Sequence, residues 1–334
     1  MATPQQGNTA TPKKNMSKPI LSLGLGTAAI GRPQYINIRQ DTAKDFSLTD
    51  FREAGRKILE TAYEEGIRYF DTAPGYGLAE QLVLDWVHVK QDPTIEVATK
   101  WGYTYVANFD PEAEIHEIKE HSLTKLKEQW KQSKKLLPYL KVYQIHSATF
   151  ETGVLANQAI LNHLAEVKAN HNLLMGITTS GTNQVAVIQK ALEVVINGIP
   201  LFDAFQVTYN ILDQSLAEIN QKLLQENKRM IIKEALANGR IFPNEKYPHY
   251  GGLYKILGSL AKKYKVGIDV IALRFCMDSL MPYKVLSGAA KAFHLTENIK
   301  TEQFQLTEEE VELLKQFAIT PTAYWQERKE LTWN

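Results

Sequence analysis

An aspartate and a tyrosine, Asp71 and Tyr76, stand in the stretch Phe70-Asp71-Thr72-Ala73-Pro74-Gly75-Tyr76-Gly77, after the run Ile67-Arg68-Tyr69-Phe70. Pro74, Gly75 and Gly77 end that run before a helical pattern begins, so a carboxylate and a phenol sit where a strand opens into a loop. Two later runs end in residues of complementary type, Val97-Ala98-Thr99-Lys100 and Val142-Tyr143-Gln144-Ile145-His146. A phenol, whose ordinary pKa is about 10, is a poor acid near neutrality unless a cation stabilises the phenolate. Lys100 can be that cation, and a carboxylate such as Asp71 keeps a buried lysine charged. His146 adds a ring nitrogen that, with Tyr76, can hold a carbonyl oxygen. Such a set moves a proton at an oxygen and contains no obvious nucleophile, which suits hydride transfer to or from a separately bound cofactor.

These residues must be carried to one place, and the order of elements says how. Ile20 to Thr27 reads as a strand, a helix begins at Ser47-Leu48-Thr49-Asp50 and ends at Gly66, and the strand to Asp71 follows. The alternation continues through strands Thr94–Lys100, Leu140–His146, Leu173–Ile177, Ala204–Val207, Met230–Ile232 and Tyr283–Leu286. Between them the periodicity predicts helices over about 111–136, 157–168, 182–196 and 215–227, and one long helical region over 253–278. Helices over 293–299 and 308–317 follow the last strand. Eight strands alternating with helices predict a parallel sheet, and the length fits an α/β fold of the closed (β/α)8 TIM-barrel type in a single domain. A doubly wound open sheet is the rival. Gly24, Gly26 and Ala29 do spell a dinucleotide fingerprint, but Gly31-Arg32-Pro33 breaks the helix that the fingerprint must open.

The remaining classes are bounded by composition. A net charge of +1 gives no electrostatic case for nucleic acid or an anionic membrane as partner, and no run of 18 apolar residues suggests a membrane span. The single cysteine, Cys276, excludes an intramolecular disulfide and a cysteine metal cluster, which points to a cytoplasmic protein, and its apolar surroundings make it a core residue. Residues 1–19 are polar and read as a disordered tail, with Met16 an alternative start; residues 20–334 form the barrel with a C-terminal helix and tail. The terminal Tyr324-Trp325 is aromatic enough to be packed, and the long loop 31–48 is placed to overhang a site.

Over about Leu21 to Asn298 the sequence resembles the aldo-keto reductases. The motifs are Gly24-Leu25-Gly26-Thr27, Asp71-Thr72-Ala73 with Tyr76-Gly77, Ala98-Thr99-Lys100, Gln144-Ile145-His146, Gln206-Val207-Thr208-Tyr209-Asn210, and Gly288 with Glu297-Asn298. The resemblance implies Tyr76 as general acid/base, Lys100 lowering its pKa, Asp71 pairing with Lys100, and His146 orienting a carbonyl. It implies reversible reduction of an aldehyde, ketone or sugar by NADPH, with NADH possible.

For the cofactor it implies Gly26, Thr27, Thr178, Thr179, Gln206, Lys233, Gly288, Lys291, His294, Glu297 and Asn298. Three positions depart from the family pattern. Thr178-Thr179 stands for a Ser-Asn pair, Lys233 for an aromatic ring on the nicotinamide, and Gly288, Ala289 and His294 for the usual 2′-phosphate residues, so Lys291 becomes the candidate for that phosphate. Trp101, Tyr103, Tyr105, Phe150 and Trp325 are candidates to line a substrate pocket, or else packing residues. A barrel that binds the cofactor without catalysis is the alternative on the same scaffold.

Overall fold

The computed structural model describes residues 21–34, 47–110 and 113–331. The tail 1–19, Met16 and most of the loop 31–48 lie outside the described residues. The barrel strands are β1 Leu23–Gly26, β2 Tyr69–Asp71, β3 Glu96–Trp101, β4 Leu140–Ile145, β5 Leu174–Thr178, β6 Ala204–Thr208, β7 Arg229–Lys233 and β8 Lys284–Ser287. All pair in parallel with their neighbours in sequence, and β8 returns to pair with β1, closing the barrel. The expected TIM-barrel class is the observed one.

Side chains on a strand alternate between two faces, and here the alternation sorts the whole protein. Outward residues such as Phe70, Val97, Tyr143, Phe205, Val207, Ile232 and Val285 join the main core under the helices. Inward residues Tyr69, Ala98, Val142, Ala204, Ile231 and Leu286 form a separate apolar layer inside the barrel. Stepping two residues along each of those strands gives Asp71, Lys100, Gln144, Gln206, Lys233 and Gly288. A polar layer thus lies directly above an apolar plug, at the carboxyl ends of the strands, where barrels of this type keep their chemistry.

The helices hold the strands in register. Helix α1, Leu48–Glu64, starts at Ser47, whose hydroxyl accepts from the Asp50 amide at 3.3 Å, and buries Ile58, Leu59 and Ala62. Ile58 and Leu59 contribute roughly 1.5–3 kcal/mol each on burial. Beyond a single helical turn, Ala28–Gly31, which stops at Arg32, the other described helices are α2 Ala79–Lys90, α3 Leu123–Ser133, α4 Gln158–His171, α5 Gln184–Leu192, α6 Ala217–Gln225, α7 Gly251–Tyr264, α8 Ile268–Leu280, α9 Ala292–Ile299, α10 Glu308–Lys315 and α11 Pro321–Lys329.

Two expected helices differ. The span 111–136 is not one helix: an antiparallel hairpin, Tyr103–Tyr105 with Glu117–Lys119, precedes α3. Aromatic and β-branched residues favour the extended chain in Tyr103-Thr104-Tyr105, Glu117–Lys119 pairs with it, and Ser122 then starts the helix by accepting from the Lys125 amide at 3.0 Å. The region 253–278 is two helices, α7 and α8, because Lys265 takes the left-handed conformation (φ 58°) and ends the first. At the C-terminus, α11 buries Tyr324 and Trp325 and is tied to the barrel mouth, with Arg240 donating to Glu327 at 2.9 Å.

Candidate active site

Strand register explains how Asp71 and Lys100 meet. Asp71 pairs with Ala98 across β2 and β3, so Lys100, two residues on, emerges on the same inner face one step nearer the mouth. Its ammonium donates to Asp71 Oδ1 and to the Thr72 carbonyl at 3.0 Å, and Lys100 is fully buried. The other carboxylate oxygen of Asp71 accepts from Gln206 Nε2 at 2.6 Å and from Gln144 Nε2 at 3.4 Å. The polar layer is therefore a connected network centred on one carboxylate.

Tyr76 follows in a single 3-10 turn, Pro74–Tyr76, and a close approach pins that turn. A Cβ on Gly31 would lie 2.1 Å from the Tyr76 carbonyl oxygen, and the Leu78 amide donates to Gly31 O at 2.8 Å. Gly77 leaves the turn at φ 62°, a conformation open to glycine without penalty. The Tyr76 ring then stands 4.7 Å from the Lys100 ammonium and 5.4 Å, edge to face, from the His146 ring. Its hydroxyl lies 3.5 Å from His146 Nε2, a long contact of the kind that closes when a substrate oxygen joins it. His146 follows β4 and is held from its far side by Tyr103, ring to ring at 4.5 Å.

The electrostatics differ in one respect from the sequence expectation. Tyr76 is only partly buried by surface area, but the protein packed round its hydroxyl, followed by the Asp71 charge, pushes the phenol well above its ordinary pKa. The ammonium of Lys100 is committed to Asp71 and does not reverse this. Burial, reinforced by Lys100 and Arg32, holds His146 well below the usual imidazole range. Near neutral pH the site thus presents a protonated phenol and a neutral imidazole.

Two cavities meet at these groups. The larger, of about 490 Å³, is lined by Gly26, Asp71, Tyr76, Gln206, Lys233, Gly288, His294 and Asn298 among others. The smaller, of about 110 Å³, is lined by Tyr76, His146, Thr178, Gln206 and Lys233 together with Arg32, Tyr103, Glu117, Glu234 and Arg328. Tyr76, Gln206, Lys233 and Glu234 face both.

The remaining candidates are placed as follows. Thr27 is buried, its hydroxyl donating to Asp71 O at 2.9 Å. Thr178 Oγ1 accepts from the Ser147 amide at 2.7 Å, and Thr179, fully buried, has a hydroxyl with no hydrogen-bond partner among the described residues. Glu297 is paired with Lys300 at 2.7 Å, and Asn298 bridges Ser287 and Asp269 at 2.7 Å each. Lys291 is exposed at the N-cap of α9, next to the groove residue Ala290. Trp101 is fully buried with its ring against His121, so it is a packing residue and no part of the cavity walls.

A dinucleotide fits the larger cavity. The groove runs from the phenol to small residues at Gly288, Ala289 and Ala290, and no side chain among the described residues caps the N-terminus of α9, leaving first-turn N–H groups for a phosphate. Sequence reasoning missed Gln144, Arg32, Asn238, Gly239, Glu234 and Arg328 as lining or supporting residues. Gln144 was within reach, two residues beyond the inward Val142; Arg32 and Arg328 come from loop and tail, where no periodicity applies.

The model of the aldo/keto reductase family matches residues 22–319. A glycerol dehydrogenase of Gluconobacter oxydans has the same fold, with a TM-score of 0.68 at 19% identity over 91% of this chain and 93% of that one. An aldo-keto reductase of Bacillus halodurans matches with a TM-score of 0.66 at 22% identity, covering 90% and 92% of the two chains. An aldo/keto reductase of Klebsiella pneumoniae, solved in complex with NADP and acetate, matches with a TM-score of 0.65 at 16% identity over 90% and 92%. By sequence, an aryl-alcohol dehydrogenase of Pestalotiopsis microspora is 22% identical over 78% of this chain and 71% of its own length. At these identities the individual likenesses speak to fold; the family match, over most of the length, shows that the chain belongs to the aldo/keto reductase family.

Proposed function

We propose that this chain is an NADP(H)-dependent oxidoreductase that reversibly reduces a small aldehyde, ketone or sugar, with Tyr76 as its general acid/base. The observation that carries the reading is that Tyr76 faces both cavities at once, the long groove and the small polar pocket, with His146 beside it. The dinucleotide takes the groove and the carbonyl takes the pocket. The nicotinamide, when bound, supplies the hydride.

The chain's own residues do the rest. Tyr76 O–H donates to the carbonyl oxygen and gives up its proton as negative charge develops there, and His146 Nε2 holds the same oxygen from the side. Lys100 lies against the phenol ring and steadies the phenolate that results, while Asp71 keeps that ammonium charged in a buried place. Gln206 and Gln144 fix the Asp71 carboxylate, and Gln206 also faces the groove, where its amide can meet the carboxamide. Residues 20–334 form the one domain that carries this chemistry. With Cys276 buried and reduced, and no described helix long and apolar enough to cross a membrane, we assign it to the cytoplasm.

Cofactor choice tests the groove. Tryptophan fluorescence titration is expected to show NADPH binding more tightly than NADH, because Lys291 and the N-terminus of α9 together favour a 2′-phosphate. Lys291→Ala should weaken NADPH by roughly fivefold, the scale of an exposed ion pair, and leave NADH unchanged. Equal loss for both cofactors would remove Lys291 from the phosphate contact; binding of neither would sink the enzyme reading.

The pH profile tests the proton. Since Tyr76 is shifted up and His146 down, neither changes protonation between about pH 6 and pH 9, and kcat/KM for reduction should stay level there. In the alcohol-oxidising direction Tyr76 must first lose its proton, so the rate should climb with pH over the same range. A falling limb for reduction between pH 7 and 9 would show that another group supplies the proton.

A further inference from the structure

The 110 Å³ pocket carries charged groups that proton transfer at Tyr76 does not use. Arg32 donates to Glu117 at 2.6 Å and Arg328 to Glu234 at 3.2 Å, so each guanidinium meets a carboxylate. Lys233 instead donates to two hydroxyls, Thr208 Oγ1 at 2.8 Å and Ser180 Oγ at 3.0 Å. An ammonium has three donors, so one remains for a ligand. Beside it the Glu234 side chain is only 9% exposed, and among the described residues its Oε2 accepts no hydrogen bond. A buried carboxylate oxygen left bare is costly, and a donor on a ligand would relieve that cost.

The backbone is arranged to present this pair. Glu234 adopts φ 56°, a conformation that a residue with a Cβ disfavours, and Asn210 Nδ2 holds its carbonyl at 3.0 Å. Burial works against the Glu234 charge, but the adjacent Lys233 and Arg328 outweigh it and keep the carboxyl below the usual range, so it acts as an acceptor.

We propose that Glu234 and Lys233 are specificity-determining residues that read a hydroxyl next to the reacting carbonyl, so that the substrates are short hydroxylated aldehydes and ketones. This rests on the reductase reading above. A hydroxyl donates to Glu234 Oε2 and accepts from Lys233 in one group. A carboxylate in that position would satisfy Lys233 and repel Glu234, and an alkyl or aryl group would leave both without partners. The pocket is also far smaller than the 300–1,000 Å³ typical of drug-sized ligands, in keeping with a short molecule.

The experiment compares kcat/KM at saturating NADPH for pairs that differ by one oxygen: lactaldehyde against propanal, and hydroxyacetone against acetone. The hydroxylated member of each pair should lead by about 10- to 100-fold, the scale of a hydrogen bond to a charged group. Glu234→Gln, which keeps the shape and a neutral acceptor, should shrink that ratio about tenfold, and Glu234→Leu should bring it near one. Circular dichroism checks the fold of each variant, and if Glu234→Leu fails it, the wild-type ratio and Glu234→Gln decide. Equal kcat/KM within both pairs in the wild type overturns the hydroxyl reading and leaves the reductase reading standing. An unchanged ratio in Glu234→Gln overturns the role of Glu234. NADPH binding with no turnover of any of the four ends the reductase reading and this inference with it.

Discussion

Tyr76→Phe is expected to lower kcat for carbonyl reduction by about 10²- to 10⁴-fold, the range lost when a positioned general acid is removed, with NADPH affinity unchanged. The change deletes one oxygen and keeps the ring. The phenyl can still stand beside the Lys100 ammonium and edge-on to His146, so the packing that places the 74–76 turn survives. Among the described residues the lost hydroxyl makes only the 3.5 Å contact to His146 Nε2, and fold stability should fall by less than about 1.5 kcal/mol, the upper range for one ordinary hydrogen bond. Kinetics and binding thus separate cleanly: kcat falls, the fluorescence titration does not move, and thermal unfolding barely shifts. A barrel that senses the cofactor without catalysing would show no dependence on Tyr76, and a full-rate Tyr76→Phe protein would transfer the acid to another group. Loss of NADPH binding in the same variant would mean that the hydroxyl belongs to the groove rather than to the pocket.

How far this site can be read in the chain follows from the geometry of strands. Asp71 and Lys100 were legible as the polar residues that end apolar runs, and Gln206 and Lys233 through the resemblance to the aldo-keto reductases; the structure adds why they share a face, since strands alternate sides and each lies two places beyond an inward apolar residue. The same rule reaches Gln144, two places beyond Val142, which the motif Gln144-Ile145-His146 contains without assigning it a role. His146 and Tyr76 were legible through the breaks that follow their strands, Pro74 and the glycines above all. Arg32, Glu117, Glu234 and Arg328 were not, and the physical reason is shared. They arrive from a loop, a hairpin, the end of β7 and the C-terminal helix, and what joins them is ion pairing across 85 and 94 residues of sequence, which leaves no local pattern. The strand Glu117–Lys119 falls in a span whose pattern predicts helix, for a related cause: Glu and Ile in 113–118 suit either state, and contact of its hairpin partner Tyr103 with the Tyr76 turn, where a Cβ on Gly75 would lie 2.9 Å from Tyr103 Cβ, settles it for the extended one. The sign of the shift at Tyr76 was likewise out of reach, because burial of the hydroxyl sets it first and the Asp71 charge second, and neither is visible along the chain.

Lys100→Met is expected to abolish reduction and to lower stability by about 3–5 kcal/mol, the cost of stranding a buried charge. In the wild type both members are almost sealed from water, with side-chain exposures of 0% and 3%. Without the ammonium the Asp71 carboxylate keeps the N–H donors of Gln206 and Gln144, which lie at 2.6 Å and 3.4 Å and carry no net charge. Urea unfolding should therefore show an earlier midpoint at an unchanged slope. Asp71→Leu alone strands the opposite charge and should cost a similar amount, leaving Lys100 with the Thr72 carbonyl at 3.0 Å. The double variant is the informative one. Removing both charges replaces an expensive pair with apolar volume above an apolar layer, so stability should return close to that of the wild type while activity stays absent. That combination would show that the pair is present for the phenolate of Tyr76 and not for the fold. If the double variant is instead as unstable as the sum of the single ones, the two charges act independently, and the network around Asp71 is a structural element that the active site has merely borrowed.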